Sequence, residues 1–412
     1  MSQQLNGTTS LNLLARNMRF FLLPLLLICL GVAYSVWECF TLARCGPRWA
    51  AIAYACVAVV AHLLLVAAIM LIVKEPGQRQ MRTAMWLFLV YFLVYIPAYL
   101  GLIVKLVGAI PFLFTHGATP GYVKVTGNCV SAAIALAMLW GTFVTRTSVK
   151  VREVTLEFAN LPQQFDGYRI AQFSDLHLGS YAPNSTFIKK LVDRINGLDA
   201  DLICFTGDVV NTLTEEAYPF KEALSGLHAP DGVLSILGNH DYGDYYRWPT
   251  TSAHLDNNRR LLELEREMGW TMLNNADTLI TRGDGSIYVI GVENWGEPPF
   301  PQYGRLAKAH PDLNGSGFKI LLSHNPKHWR GEVLGLSNID LTLSGHTHAM
   351  QFEISFFGHR WSIASLKYKE WGGLYQENGQ MLYVNTGIGE VGVPMRIGAT
   401  PEVTLFTLKQ KN

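Results

Sequence analysis

Arg169-Ile-Ala-Gln-Phe-Ser-Asp-Leu-His177 joins a short run of strand-forming residues to the polar cluster Ser174-Asp175-Leu176-His177, and that succession sets the reading of the chain. It recurs four times. Leu202–Thr206 leads into Gly207-Asp208, Gly232–Leu237 into Gly238-Asn239-His240-Asp241, Phe318–Leu322 into Ser323-His324-Asn325, and Ile339–Leu343 into Gly345-His346-Thr347-His348. Further runs stand at Ser286–Val292, Met381–Asn385 and Glu402–Leu408, and the first run is taken as Arg169–Ser174. Helical patterns fall at Asn184–Asn196, where Asn184 can cap, and at Asn258–Met268. Strands that alternate with helices predict an α/β domain whose strands are buried, and the short pieces near the C-terminus predict closing hairpins.

Ligands of α/β sheets bind beyond the carboxyl ends of the strands, so the five clusters should converge in space although they run from Ser174 to His348. Asp175 and His177 are two apart, which at the end of an extended strand points both side chains to one side, and His346 and His348 repeat the spacing. Gly207, Gly238 and Gly345 precede the polar residues where a tight turn and close backbone approach are needed. Asp175, His177, Asp208, Asn239, His324, His346 and His348 make seven oxygen and imidazole donors, too many for one tetrahedral ion. They suit two divalent ions (Mn, Zn, Fe or Mg) that share a carboxylate. Such a pair binds phosphate oxygens, lowers the pKa of a bridging water and stabilises an in-line displacement. His240 is the candidate to touch the scissile phosphate or protonate the leaving oxygen, with Asp241 to orient it. His116, His228, His254, His310, His328 and His359 lack such a setting and are read as surface or core residues, and the methionines as gap-filling apolar ones.

At these residues the chain resembles the calcineurin-like metallophosphoesterases, whose blocks run D-x-H, G-D, G-N-H-D/E, H and G-H-x-H. All five blocks stand here. The tail, with Gly372-Gly373-Leu374-Tyr375, Val384-Asn385-Thr386-Gly387-Ile388-Gly389 and Pro401-Glu402-Val403-Thr404, is similar to the YkuE/YaeI-type branch and to transmembrane metallophosphoesterases that carry helices ahead of the same domain. The resemblance covers Val151 to Leu408 and implies a four-layer α/β/β/α sandwich. It also implies one metal on Asp175, His177, Asp208 and His348, another on Asp208, Asn239, His324 and His346, and Asp208 as the bridge. One departure is visible: related sequences often read Gly-Gly-Gln after the last histidine, where this chain has Ala349-Met350-Gln351, and this bears on the shape of the adjoining pocket.

Ahead of that domain the composition changes. A chain of 412 residues exceeds the usual single core, and charged residues are sparse before about position 146. Phe20–Trp37, Trp49–Val73, Ala84–Val107 and Gly127–Val144 each approach the ~20 apolar residues needed to cross a bilayer, which predicts an α-helical transmembrane bundle over 1–145, a linker with the first strand over 146–168, and the hydrolase domain over 169–412. His62, inside the second span, is read as a hydrogen-bonding partner between helices rather than a transport site. Four spans put both termini on one side. That side carries Arg16, Arg19, Lys74, Arg79, Arg82, Arg146, Lys150 and Arg152 against Arg44, Arg48, Lys105 and Lys124 on the other, so the domain is expected in the cytoplasm, on a bacterial inner membrane. Six cysteines form no CxxC or disulfide framework. A net charge of +1 without a basic run excludes an electrostatic nucleic-acid footprint.

The expected activity is hydrolysis of a phosphate ester or pyrophosphate, carried on a small molecule or, since the bilayer concentrates lipid-borne phosphates around a tethered site, on a phospholipid or a lipid-linked nucleotide. A catalytically silent sensor or scaffold at the membrane is the alternative. Two aromatic stretches follow metal motifs: Tyr242, Tyr245, Tyr246 and Trp248, then Phe352, Ile354, Phe356, Phe357 and Trp361. They are expected as a bilayer-facing rim, although Phe352, Ile354 and Phe356 alternate as a buried strand face would.

Overall fold

The computed structural model describes residues 25–73, 77–114, 118–298 and 300–411. Phe20–Pro24 of the first expected span, Arg16, Arg19, Lys74 and His116 lie outside the described residues. The chain divides into two compact units between Leu136 and Ala137.

Four helices are long and apolar enough to cross a membrane: α1 (Leu25–Cys45), α2 (Arg48–Val73), α3 (Gln78–Phe114), and α4 (Gly121–Phe143), which continues as a 3-10 turn to Thr147. The protein is a membrane protein. All four expected spans are present, and α3 runs past Ala84–Val107 at both ends, at the first because Arg79 and Arg82 are good helix formers that the apolar count left out, and at the second through 108–114. In the first unit Ser131 Oγ donates to the carbonyl of Pro97, 2.9 Å away, inside α3. Beside it Gly101 and Gly127 pass so closely that a Cβ on either would come within 2.7 Å of the other's carbonyl oxygen, the small-residue contact by which apolar helices pack in lipid. His62 Nδ1 lies 3.2 Å from Tyr95 OH, a hydrogen bond between α2 and α3 of the kind expected for it.

The second unit carries the strands β1 (Lys150–Phe158), β2 (Arg169–Phe173), β3 (Leu202–Phe205), β4 (Val233–Ser235), β5 (Thr271–Met272), β6 (Ala276–Arg282), β7 (Gly285–Gly291), β8 (Phe318–Leu322), β9 (Leu341–Ser344), β10 (Glu353–Phe356), β11 (His359–Ser362), β12 (Gly373–Glu377), β13 (Gln380–Val384) and β14 (Glu402–Gln410). One six-stranded sheet has the order β1-β14-β2-β3-β4-β5 and the other β12-β13-β9-β8-β7-β6, while β10 and β11 pair only with each other. Leu156, Ile170, Leu202, Cys204, Val289, Ile320, Leu341 and Phe406 come from both large sheets into one buried cluster, so the sheets pack face to face. The outer face of the first sheet is covered by α5 (Phe187–Asn196), α6 (Lys221–Leu224) and α7 (Thr251–Glu267), and that of the second by α8 (Leu306–Ala309) and the turn at Trp329–Val333. This is the expected α/β/β/α sandwich. The eight expected strands are all found, displaced by at most two residues at either end.

Two helix starts differ from expectation. Asn184 lies in a turn ahead of α5, which begins at Phe187 after Thr186 without a side-chain cap. α7 begins at Thr251 rather than Asn258, because Thr250 Oγ1 accepts a hydrogen bond from Ala253 N, 3.1 Å away, and caps a polar first turn that has no apolar period to reveal it. On α7, Glu265 is fully buried against Ser235 Oγ, 2.6 Å away. Burial pushes its carboxyl up to about 7. A carboxyl raised in the folded state stabilises the fold below its unfolded value, and the contribution is lost as pH rises through about 7, a difference on the order of 3 kcal/mol. Glu265→Gln should therefore match the parent chain in thermal midpoint at pH 4.5 and exceed it at pH 8; equal midpoints at both values would show that Glu265 is not neutral in the fold.

Candidate metal centre

The strand ends β2, β3 and β4 of one sheet and β8 and β9 of the other bring all five clusters to the same edge of the sandwich. How they do so differs from the reading of Asp175 and His177 as alternate positions on an extended strand. β2 stops at Phe173, and Asp175 (φ 54°), His177 (φ 44°), Asp208 (φ 63°), His346 (φ 75°) and His348 (φ 50°) all have left-handed backbone. Asp and His tolerate this region better than most residues, yet five such ligands in one site is local strain held by the surrounding fold. Glycine is obligatory beside them: a Cβ on Gly238 would lie 2.2 Å from Asp208 Oδ1, and one on Gly345 2.4 Å from Asp175 Oδ2.

Three groups result whose donor atoms lie within 4.8 Å of one another: Asp175, His177 and His348; His177, Asp208 and His240; and Asp208, His324 and His346. Asp208 Oδ2 stands 3.5 Å from His177 Nε2 and 3.2 Å from His324 Nε2, so its carboxylate faces two groups at once. Asn239 Oδ1 joins the third group at 3.1 Å from His324 Nε2. His348 Nε2 lies 3.1 Å from Asp175 Oδ1. Each expected metal ligand is thus brought into the cluster, and the two histidines of the last block go to different groups.

The electrostatics suit cations. Burial alone would raise Asp208, but the imidazoles of His324 and His240 hold its carboxyl well below the usual range. Burial and the neighbouring His324 bring His346 down to about 3. His324 is itself raised to about 9, against its burial, by the Asp208 carboxylate. Imidazole nitrogens face one another, His177 Nε2 and His348 Nε2 at 3.0 Å and His346 Nδ1 and His324 Nε2 at 3.2 Å, and at most one of each pair can carry a proton. Divalent ions held by these nitrogens and carboxylates would satisfy both lone pairs and the buried charge, so the donor set fits metal.

Around the donors stand residues whose contacts only the fold shows. Asp241, expected to orient His240, instead accepts hydrogen bonds from the backbone N–H groups of Asp208, Val209, Val210 and Gly238 and so fixes the turn that carries Asp208. Burial and the Asp208 carboxylate push the Asp241 carboxyl up, and these N–H donors pull against them. His240 is oriented by the carbonyl of Asn211, 2.7 Å from its Nδ1, which leaves Nε2 available to the site. Tyr368 OH meets His346 Nε2 at 2.9 Å, and the buried guanidinium of Arg396 reaches His348 Nδ1 at 3.2 Å while it donates to the carbonyls of Gly389, Thr386 and Ala399. Neither Tyr368 nor Arg396 sits in a motif, so only the fold reveals them. His328, read as a structural histidine, is buried between Ser323 Oγ and Glu332.

The Calcineurin-like phosphoesterase family model matches residues 168–350. The metallophosphoesterase YkuE of Bacillus subtilis is 34% identical over 64% of this chain and 87% of its own length. The chain belongs to the calcineurin-like metallophosphoesterases. It is therefore a metal-dependent phosphoester hydrolase. The transmembrane protein with metallophosphoesterase domain of Danio rerio is 28% identical over 67% of this chain and 61% of its own length, somewhat under two thirds of that protein. The UDP-2,3-diacylglucosamine pyrophosphatase LpxG of Chlamydia trachomatis is 27% identical over 67% of this chain and 94% of its own length. Because Asp208 faces both sets of donors, Asp208→Ala should empty the whole centre, whereas His346→Ala should lower metal content without abolishing it. Metal analysis of the purified variants checks this, and two equivalents retained by Asp208→Ala would refute the sharing.

Proposed function

We propose that the chain is a membrane-anchored dinuclear phosphoesterase that hydrolyses a phosphate ester or pyrophosphate borne by a lipid, a phospholipid or a lipid-linked nucleotide. The observation that carries the reading is the shared Asp208 carboxylate between two donor groups, on a chain that also holds four membrane-length helices. The name of the chlamydial relative, a UDP-2,3-diacylglucosamine pyrophosphatase, supports a diphosphate on a lipid among these.

Asp175, His177, Asp208 and His348 would hold one ion and Asp208, Asn239, His324 and His346 the other. Bound there, the ions supply Lewis acidity toward the phosphate oxygens and a water of lowered pKa. The rest falls to the chain's own groups. The Asn211 carbonyl accepts from His240 Nδ1–H, so that in the imidazolium the second N–H, on Nε2, contacts the scissile phosphate and passes its proton to the leaving oxygen, leaving the neutral ring with its remaining proton on Nδ1. The backbone N–H of His240 donates to Asp208 Oδ1 at 2.8 Å, which ties the residue's main chain to the shared carboxylate. Tyr245, whose OH accepts from Asn239 Nδ2 at 2.9 Å and whose ring lies 4.7 Å from that of His240, narrows the same side of the site.

His240→Ala should keep both metals and lose about 10²- to 10⁴-fold in kcat on bis-p-nitrophenyl phosphate with Mn²⁺, the usual contribution of a positioned proton donor. Near-parental kcat would remove His240 from the reaction, and a metal-loaded parent chain without turnover on any phosphate ester or diphosphate would favour a sensor. The lysine and arginine bias further supports a cytoplasmic hydrolase domain. A fluorescent protein fused after Asn412 should glow and an alkaline phosphatase fusion should stay inactive; active phosphatase would reverse the orientation.

A further inference from the structure

Of the two aromatic stretches expected at the rim, one is largely occupied. Tyr242 is buried and stacks on Tyr303, and Trp248 donates to the Gly243 carbonyl and stacks on His254. The other is not. β10 and β11 form an isolated hairpin whose register sets Ile354 opposite Trp361 and Phe356 opposite His359 on one face, with Glu353, Ser355, Arg360 and Ser362 on the other. The polar face is internally paired, since Arg360 binds Glu353 through Nε at 2.7 Å and Nη2 at 2.8 Å. The apolar face is open, with Ile354 50%, Phe356 68% and Trp361 46% exposed. The period-two alternation is real, but the face it marks is a surface. At the tip Phe357 is 88% exposed and occupies φ 47°, followed by Gly358 at φ 81°. A primed turn with both central residues at positive φ selects Asn, Asp or Gly, so a phenylalanine there serves something other than the turn.

Position narrows the partner. The hairpin starts from Phe352, which bridges to Ile397, and Glu353 N donates to the Ile397 carbonyl at 2.8 Å. Ile397 and its neighbour Arg396 lie against the final part of α4: Arg396 N donates to the Gly141 carbonyl at 3.2 Å, and a Cβ on Gly141 would come within 2.7 Å of Arg396 O and 3.0 Å of Ile397 Cγ1. α4 belongs to an apolar span, with Trp140 and Phe143 exposed on its last turns. The tip stands about 15 Å out from Phe352 at ~3.3 Å per residue, within reach of the interfacial zone in which a membrane helix ends. At its other end the hairpin is fastened to the metal loop, as Ser362 Oγ donates to the carbonyl of Ala349, next to His348.

We propose that the β10–β11 hairpin is a membrane-dipping element, with Phe356, Phe357 and Trp361 seated among the lipid headgroups and upper acyl chains beside the exit of α4. An exposed apolar face carried by the segment that receives the end of a membrane-length helix is satisfied by the bilayer itself. It also gives the metal loop a neighbour that touches lipid, the use of which by substrate rests on the lipid-borne reading above.

The test uses the full chain, one copy per nanodisc of phosphatidylcholine and phosphatidylglycerol at about 3:1, with Cys29, Cys39, Cys45, Cys56 and Cys129 changed to Ser and a polarity-sensitive dye on Phe357→Cys. Cys204 is buried and stays. Expected is a blue-shifted emission, quenched by lipids with a spin label near the top of the acyl chain and at least threefold less by aqueous iodide. A dye on Asp284→Cys, in the β6–β7 turn at the opposite ends of the strands, should show the reverse order. A dye at Phe357→Cys that iodide quenches as readily as at Asp284→Cys overturns the proposal, as does a blue shift that appears only with two copies per disc and without lipid quenching, which would assign the face to a second copy of the chain. These outcomes do not depend on the substrate. A lipid-seated dye on a chain that turns over only soluble esters would leave the hairpin standing and refute the lipid-borne reading. For activity, Phe356→Ser with Phe357→Ser should cut turnover of a lipid-borne diphosphate about tenfold and change that of bis-p-nitrophenyl phosphate less than twofold; equal losses on both would show that the hairpin supports the fold instead.

Discussion

The buried carboxylate of Asp208 is the constraint around which the hydrolase half is organised. Two imidazoles lie against it, and a second buried acid, Asp241, holds the backbone N–H of the same residue. Its position is imposed from below, since Asp241 collects four backbone N–H groups from the turns on either side and so locks the β3 and β4 loops to each other. A carboxylate that accepts several N–H bonds has most of its solvation replaced by fixed dipoles, which is how so charged a cluster survives at the edge of a core. The five ligands with left-handed backbone add strain, at about 1 kcal/mol each on the order of 5 kcal/mol, a large part of a domain's whole stability. The apolar interior between the two sheets is what over-determines them, and bound cations would relieve the repulsion that remains.

That dependence explains which parts of the site were legible in the sequence. Each ligand follows a strand that is apolar because it is buried between layers, so the chemistry-bearing residues are punctuated by runs that cannot be mistaken for loops. Residues that act through the backbone leave no such mark. Asp241 looks like a partner for His240 because it follows it, whereas its carboxylate turns inward to the Gly207–Val210 turn, a contact visible only once β3 and β4 are neighbours. Arg396 and Tyr368 come from the irregular tail and reach their histidines across 48 and 22 residues of sequence. A helix start escapes the sequence where a cap, rather than an apolar period, defines the end, as at Thr250. The hairpin shows the converse limit: alternation reports that one face is apolar and says nothing of what covers it.

The end of α4 and the strands that carry this chemistry belong to one compact unit. β1 begins at Lys150, three residues after the last turn of α4 ends at Thr147. Arg146 in that turn pairs with the buried Glu390 at 2.8 Å, whose carbonyl accepts from Ser180 Oγ three residues beyond His177. Burial raises Glu390 and the Arg146 guanidinium pulls against it, so the pair stands as a polar link inside an otherwise apolar contact. Arg396 serves two ends at once, because its backbone N–H donates to the Gly141 carbonyl at the end of α4 while its guanidinium holds the His348 imidazole of the centre.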